Sequence, residues 1–306
     1  MAKPQPAQQI RYFQTDLRYQ YRIELLELAL RKSQAAETAA AEITAPETTA
    51  PETIATATAA PQIIAAEITA TESATNGLPL LPLTTAVTQS RGIAMLEQGE
   101  VDVAFLPTSR ELEQRLLAVR IPIMQGLLGY RVLLIHSRNQ AKFAKLETLE
   151  QLQRHFVAGF GADWTDLAIL THNRLQVQRV TQYQNLFPML NAGRFDYVPR
   201  GINEVWDEMA VMGPQYPGLL VDSQLALHYD YPIYFFVNKA NRQLANRIEK
   251  GLRLALADGS FKRLFLSYHG RLVTELRNRR VFELTNPTLP ADMPAIDTSW
   301  WQSPAH

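Results

Sequence analysis

Hydrophobic and polar positions along this chain fall into alternating strand-like and helix-like stretches. Ile10-Arg11-Tyr12-Phe13 predicts a first strand, and Tyr21 to Lys32 puts Ile23, Leu26 and Leu30, flanked by Leu25 and Leu28, on one broad face of a helix. Leu78 to Thr84 is again strand-like, Arg91 to Gln98 helical, and Val101 to Leu106 a third buried strand. The junction between that helix and strand, Leu96 to Asp102, has the pattern L-x-x-G-x-x-D, and the pattern returns at Leu190 to Asp196. A glycine just past a helix adopts the left-handed conformation at little steric cost, so each copy marks a helix end before a buried strand. The recurrence predicts two similar lobes. Ligands of such α/β units bind at the carboxyl ends of the strands, so Asp102 and Asp196 are expected to be structural, with binding residues just beyond them.

Size and charge sharpen this outline. At 306 residues the chain exceeds one modal domain, and 46% hydrophobic content suffices for a sizeable core. The absence of cysteine excludes disulfides and thiol catalysis. The longest apolar runs fall short of the roughly 18 residues that cross a bilayer. Met1 to Pro6 has no apolar signal-peptide core, so the expectation is a cytoplasmic protein or a processed form. The zero net charge conceals an asymmetry: residues 36–75 carry six glutamates and no Lys, Arg or Asp, leaving +6 on the remainder. An excess that is moderate and dispersed is an ordinary solvated surface or favours an anionic small ligand in a cleft, and gives no case for nucleic acid.

The acidic stretch is a pentad repeat, AETAA, AEITA, PETTA, PETIA and onward, with glutamates at intervals of five or its multiples. Five matches neither the helix nor the strand period. Pentapeptide β-helices usually centre on Leu or Phe, whereas Thr, Ile and Ser occupy that place here, and eight pentads would make only about two coils. The expectation is a flexible insertion over 36–77 without a core of its own. It joins a helix end to a strand start and so should emerge opposite the ligand end.

Beyond Pro107-Thr108-Ser109-Arg110 the order of segments becomes specific: Ile121 to Ile135 with its Pro122, Lys145 to Gln153, Val157 to Asp166, Leu186 to Asp196, Pro232 to Lys239, Leu244 to Ala257, and Asp258-Gly259-Ser260 to Phe265. In that order the chain resembles the type II periplasmic solute-binding proteins of the amino-acid-transporter family, family 3. A closer likeness is to a branch marked by GLLGYR, AGRFDY-x-PRG and YFFVNK, here Gly126 to Arg131, Ala192 to Gly201 and Tyr234 to Lys239. The resemblance covers nearly the whole chain outside residues 36–75 and the tail after about Arg280. It implies an α/β, two-lobed periplasmic binding protein type II fold, each lobe a mixed, mostly parallel sheet flanked by helices, with two hinge crossings near Pro122 to Tyr130 and Ser223 to Tyr231. Lobe 1 would comprise 1–125 plus 229–285, lobe 2 would comprise 126–228, and 286–306 would be an irregular tail, docked on lobe 1 by Trp300 and Trp301.

The resemblance also implies a site. Family members hold an α-carboxylate with a lobe 1 arginine and with amides and a hydroxyl at a lobe 2 helix start, where exposed N–H groups favour an anion. The helix start corresponds to Gly161, Ala162, Asp163, Trp164 and Thr165. The arginine position falls on Glu111 or Leu112, with Arg110 and Arg115 its near neighbours. Where the family places a carboxylate for the ligand's ammonium, this chain has Arg200 or Gly201. Arg200 there attracts an anion, or alternatively pairs with Glu204 or Asp207; Asn203 and Glu204 are further candidates, Glu204 restoring the acid. Tyr12, Trp164, and Tyr19 or Tyr21 are candidate aromatic walls, and Trp206 is expected to be packing.

The six histidines show no metal-ligand spacing and no Gly-x-Ser-x-Gly elbow occurs, so neither metal nor cofactor is expected. Gly159-Phe160-Gly161-Ala162-Asp163-Trp164 begins like a dinucleotide loop but ends in Trp. The expected role is extracytoplasmic, periplasmic capture of a small polar or anionic solute, amino-acid-like or a carboxylate, by a monomer that serves a membrane permease or a sensor. The alternatives are a same-fold lyase or peptidoglycan-cleaving enzyme with Glu204 or Asp163 as general acid, or a sensing module without a transporter.

Overall fold

A computed structural model describes residues 9–44 and 79–302. Lobe 1 opens with β1 (Ile10–Tyr12), α1 (Gln20–Thr44), β2 (Leu80–Pro82), α2 (Gln89–Gln98), β3 (Ala104–Pro107), α3 (Arg110–Arg115) and β4 (Leu117–Val119). Lobe 2 follows with β5 (Tyr130–His136), α4 (Gln140–Phe143), α5 (Leu149–His155), β6 (Val157–Gly161), α6 (Leu167–His172), β7 (Gln176–Val180), α7 (Leu186–Asn191), β8 (Tyr197–Gly201), α8 (Val205–Met212) and β9 (Leu219–His228). The chain returns to lobe 1 as β10 (Ile233–Val237), α9 (Arg242–Ala257) and α10 (Ser260–Leu276), then adds β11 (Arg280–Glu283) and α11 (Ser299–Gln302).

In lobe 1, β1 pairs parallel with β2, and β10 runs antiparallel between β3 and β4. Asp102 and Val103 donate to the Arg11 carbonyl and so join β1 to the entry of β3. In lobe 2 the order is β11-β9-β5-β8-β6-β7, with β5 antiparallel between β8 and β9 and with β6 parallel to β7 and β8. In each lobe the strand that arrives from a crossing therefore runs against its neighbours.

Strands buried on both faces explain the unbroken apolar runs. Along β10, Ile233, Phe235 and Val237 face one core while Tyr234 and Phe236 face another. In β5, Leu133 and Ile135 face one lobe 2 core and Leu134 the other. The two expected crossings pass backbone to backbone: a Cβ on Gly129 would lie 2.1 Å from the Tyr229 carbonyl oxygen. Only glycine fits there.

Three features extend the sequence outline. Helix α1 does not stop at Lys32 but continues through the first pentads to Thr44, because the run from Ala35 to Ala41 is Ala-rich and helix-favouring. Its inner face, Leu25, Leu26, Ala29 and Leu30, is buried together with Leu244, Ile248 and Leu252 of α9. The later pentads, the segment Met1 to Pro6 and the Trp300 side chain lie outside the described residues.

Secondly, residues 280–283, expected with lobe 1, form the parallel edge strand β11 beside β9 in the lobe 2 sheet. Arg279 leads into it by donating to the carbonyls of Asp222 and Leu225, where β9 bulges; the Asp222 carboxylate accepts from the backbone N–H groups of Gln224 and Leu225. Thirdly, the tail returns to lobe 1. Thr285 exchanges hydrogen bonds with Asn173 of lobe 2, Pro287 and Leu289 accept from Arg110, Asp292 pairs with Arg120 at 2.8 Å, and Trp301 donates to the Gln125 carbonyl beside Tyr130. The lobes are thus tied behind the hinge by more chain than the two expected crossings.

Candidate functional site

A cleft of about 500 Å³ separates the lobes, within the range of small-molecule sites. Its lobe 1 wall comes from the loop after β1, the start of α1 and the end of β3. The Gln14 side chain donates to the Phe105 carbonyl at 2.6 Å and accepts from its N–H at 2.9 Å, locking that loop to the strand. Tyr19 then lies beside two guanidinium groups, with Arg18 5.2 Å and Arg22 4.9 Å from its ring centre; Arg22 also lies over Phe105 at 5.6 Å.

The lobe 2 wall is built from two neutralised arginines. Arg131, from β5, donates to Asp166 at 2.5 Å and to the Leu128 carbonyl at 2.6 Å, and its guanidinium stacks over Tyr229 and Tyr231. Asp166 also accepts from the Tyr229 hydroxyl at 2.5 Å and from Thr165 at 3.2 Å. Burial would raise the Asp166 pKa, but Arg131 and these donors outweigh it and hold the carboxyl below its usual range. Arg200, from β8, makes a forked pair with Glu208, a second pair with Glu204 at 3.0 Å, and stacks over Trp164 at 4.5 Å. Leu128, Tyr231 and Ile233 of the crossings complete the lining.

Of the residues the sequence points to, Tyr19, Asp163, Trp164, Thr165, Arg200, Asn203 and Glu204 line this cleft together. Gly161 and Ala162 lie just behind it: the Ala162 amide is spent on the Val180 carbonyl, and the Gly161 carbonyl accepts from Trp164. The expected helix start is a pair of turns, with α6 beginning only at Leu167. Arg110 holds the tail, Arg115 pairs with Glu97 at 2.7 Å, and Tyr12 is core, so none of these three lines the cleft. Trp206 is a partly buried packing residue. Arg200 pairs with Glu204 and with Glu208, one turn further on, and not with Asp207.

Sequence reasoning did not single out Arg22, Arg131, Asp166 or Tyr231 as site residues. Arg131 ends GLLGYR and Asp166 closes the quoted Val157 to Asp166 turn, so both lay inside noticed motifs. Arg22 is one polar position in an amphipathic helix and carried no signal. Among the described residues no group of three or more His, Asp or Glu is arranged to hold a metal ion, and no helix is long and apolar enough to cross a membrane.

No protein-family model matches the sequence, and no curated protein does. Solved structures similar to this chain include an ancestral arginine-binding protein bound to arginine, 17% identical over 63% of this chain and 81% of its own, with a TM-score of 0.44. Others are a substrate-binding protein of an amino-acid ABC transporter from Streptococcus pneumoniae bound to L-arginine (16%, 63% and 77%, TM-score 0.42) and an ancestral amino-acid-binding precursor of cyclohexadienyl dehydratase (15%, 63% and 78%, TM-score 0.43). Likeness at this level carries no weight for ligand or role; the two-lobed fold stands on the sheets and cleft themselves.

Proposed function

We propose that this protein captures a small polar or anionic solute, amino-acid-like or a carboxylate, in the interlobe cleft, and delivers it outside the cytoplasmic membrane to a permease or a sensor. The observation that carries this reading is one cavity to which both lobes contribute charged and aromatic side chains, with the crossings as its floor. Contacts from both walls to one solute favour the closed arrangement, so binding shifts an open–closed equilibrium. Asp163, Thr165, Asn203 and Glu204 are the polar contacts of lobe 2, and Tyr19 and Trp164 the aromatic walls. A binding role is supported over catalysis by Asp166, the buried carboxyl of the cleft, which Arg131 and its other donors hold ionised, whereas a general acid needs a raised pKa.

Small-angle scattering checks the reading. Amino acids, dicarboxylates and other small anions are first screened by thermal shift, in which a ligand at about 100 times its Kd stabilises by about 2.7 kcal/mol. A ligand that stabilises should also lower the radius of gyration and be recovered intact. Stabilisation without compaction, or turnover of the ligand, counts against it.

A further inference from the structure

The two walls differ in how their cations are balanced. Arg131 and Arg200 each face carboxylates at hydrogen-bond distance. Arg22 lies over the rings of Tyr19 and Phe105, and among the described residues no carboxylate pairs with it. Burial, with repulsion from Arg18 adding to it, pushes its guanidinium down to about 10. It remains a cation at neutral pH, partly withdrawn from water and uncompensated.

Its place in the helix adds to the imbalance. Arg22 is the third residue of the 25-residue α1, whose first turn contains no acid. The N-terminus of a helix carries partial positive charge, so an arginine there is disfavoured by its own helix. Cation–π contact returns only about 0.5–2 kcal/mol. The charge therefore stands in a cleft, against the helix dipole and beside a second arginine whose acid partner is Asp16 at 3.5 Å on the exposed rim. Opposite, Asp166 and Glu204 are already engaged with their own arginines.

Building on the proposed solute-binding role, we infer that Arg22, assisted by Arg18, is the anion-holding group of the cleft and restricts its solute to carboxylates and acidic amino acids, excluding basic ones. A carboxylate docked on Arg22 supplies the missing counter-charge. The guanidinium is presented by the packing of Tyr19 and Phe105, so it is oriented before the solute arrives and little side-chain entropy is lost on binding.

The test uses the full chain, Arg22→Gln and Arg22→Lys, with L-glutamate, succinate and L-arginine as probes in thermal shift and calorimetry. L-glutamate or succinate should bind and L-arginine should not. Arg22→Gln should weaken the bound acid at least about tenfold, with Arg22→Lys intermediate. The ligand-free melting temperature of Arg22→Gln should stay level or rise, since an unbalanced charge is removed; a structural role would lower it. Undiminished acid affinity in both variants overturns the inference, as does failure of both acids to bind. Binding and compaction with L-arginine overturn the inference while preserving the solute-binding reading, and a wider screen without any compaction overturns that reading as well.

Discussion

In lobe 1 the Asp102 carboxylate accepts the Arg11 N–H at 2.8 Å while the Asp102 N–H donates to the Arg11 carbonyl at 2.9 Å. In lobe 2 Asp196 and Val157 make the same reciprocal pair, at 2.8 Å in both directions. Gly99 and Gly193 precede them with φ of 77° and 71°, and in both helices the next amide, Glu100 or Arg194, reaches back to Met95 or Met189. The L-x-x-G-x-x-D segments are thus one device used twice: the glycine ends the helix and the aspartate ties the incoming chain to a neighbouring strand. Buried charge is handled oppositely. Lobe 2 closes its cleft arginines into hydrogen-bonded pairs, whereas in lobe 1 no acid among the described residues pairs with Arg22. A scaffold can be repeated while the electrostatics of its two cleft faces diverge, because backbone ties and cleft-facing side chains occupy different positions on the same elements.

The largest effect should follow from breaking the lobe 2 pairing. Asp166→Ala leaves Arg131 buried without its carboxylate and should cost about 3–5 kcal/mol in denaturant unfolding; a loss below about 1 kcal/mol would show that this wall is not neutralised as described.

Acid should next expose the lobe 1 imbalance. His269 packs against Tyr21 and Phe265, and its buried Nε2 has no partner among the described residues. Burial, then repulsion from Arg22, pushes its pKa down to about 4. The unfolded chain takes up the proton near the ordinary value while the folded chain resists it, so stability is full above about pH 6.5 and falls as pH drops toward 4, by up to about 3 kcal/mol. His269→Phe should flatten that window. The lowered Asp166 pKa acts at lower pH, from the ordinary carboxylate value downward.

The smallest difference is the most direct check on the shared device. Asp102→Ala and Asp196→Ala should each cost about 1–2 kcal/mol, the penalty of an unpaired strand amide, and should agree within about 1 kcal/mol by urea denaturation. A large disparity would mean that the two segments share only their spelling.

Much of the scaffold was legible. Strands buried on both faces leave continuous apolar runs, and helix ends leave glycines, so β10, β5, α9 and both aspartate junctions stand out in the sequence. The site was legible in part. Trp164, Thr165 and Glu204 sit just after strands and Arg200 at the carboxyl end of one, where the chain must turn toward the cleft. Arg110 and Arg115 lie beside the position at which the family keeps its arginine, yet α3 points them at the tail and at Glu97. Strand β11 was missed because four residues on a sheet edge need no distinctive pattern when a partner strand supplies the hydrogen bonds.

Local sequence determined what depends on near neighbours: element types, glycine-ended helices, the repeated L-x-x-G-x-x-D junction and the absence of cysteine chemistry. Apart from the Arg200–Glu204 pair at i,i+4, tertiary structure decided which charges meet. Arg131 finds Asp166 across 35 positions, Arg200 finds Glu208 one helix on, and Arg22 finds no acid among the described residues, because a charge's partner is fixed by distance in space and by shared burial, quantities that no local spacing encodes.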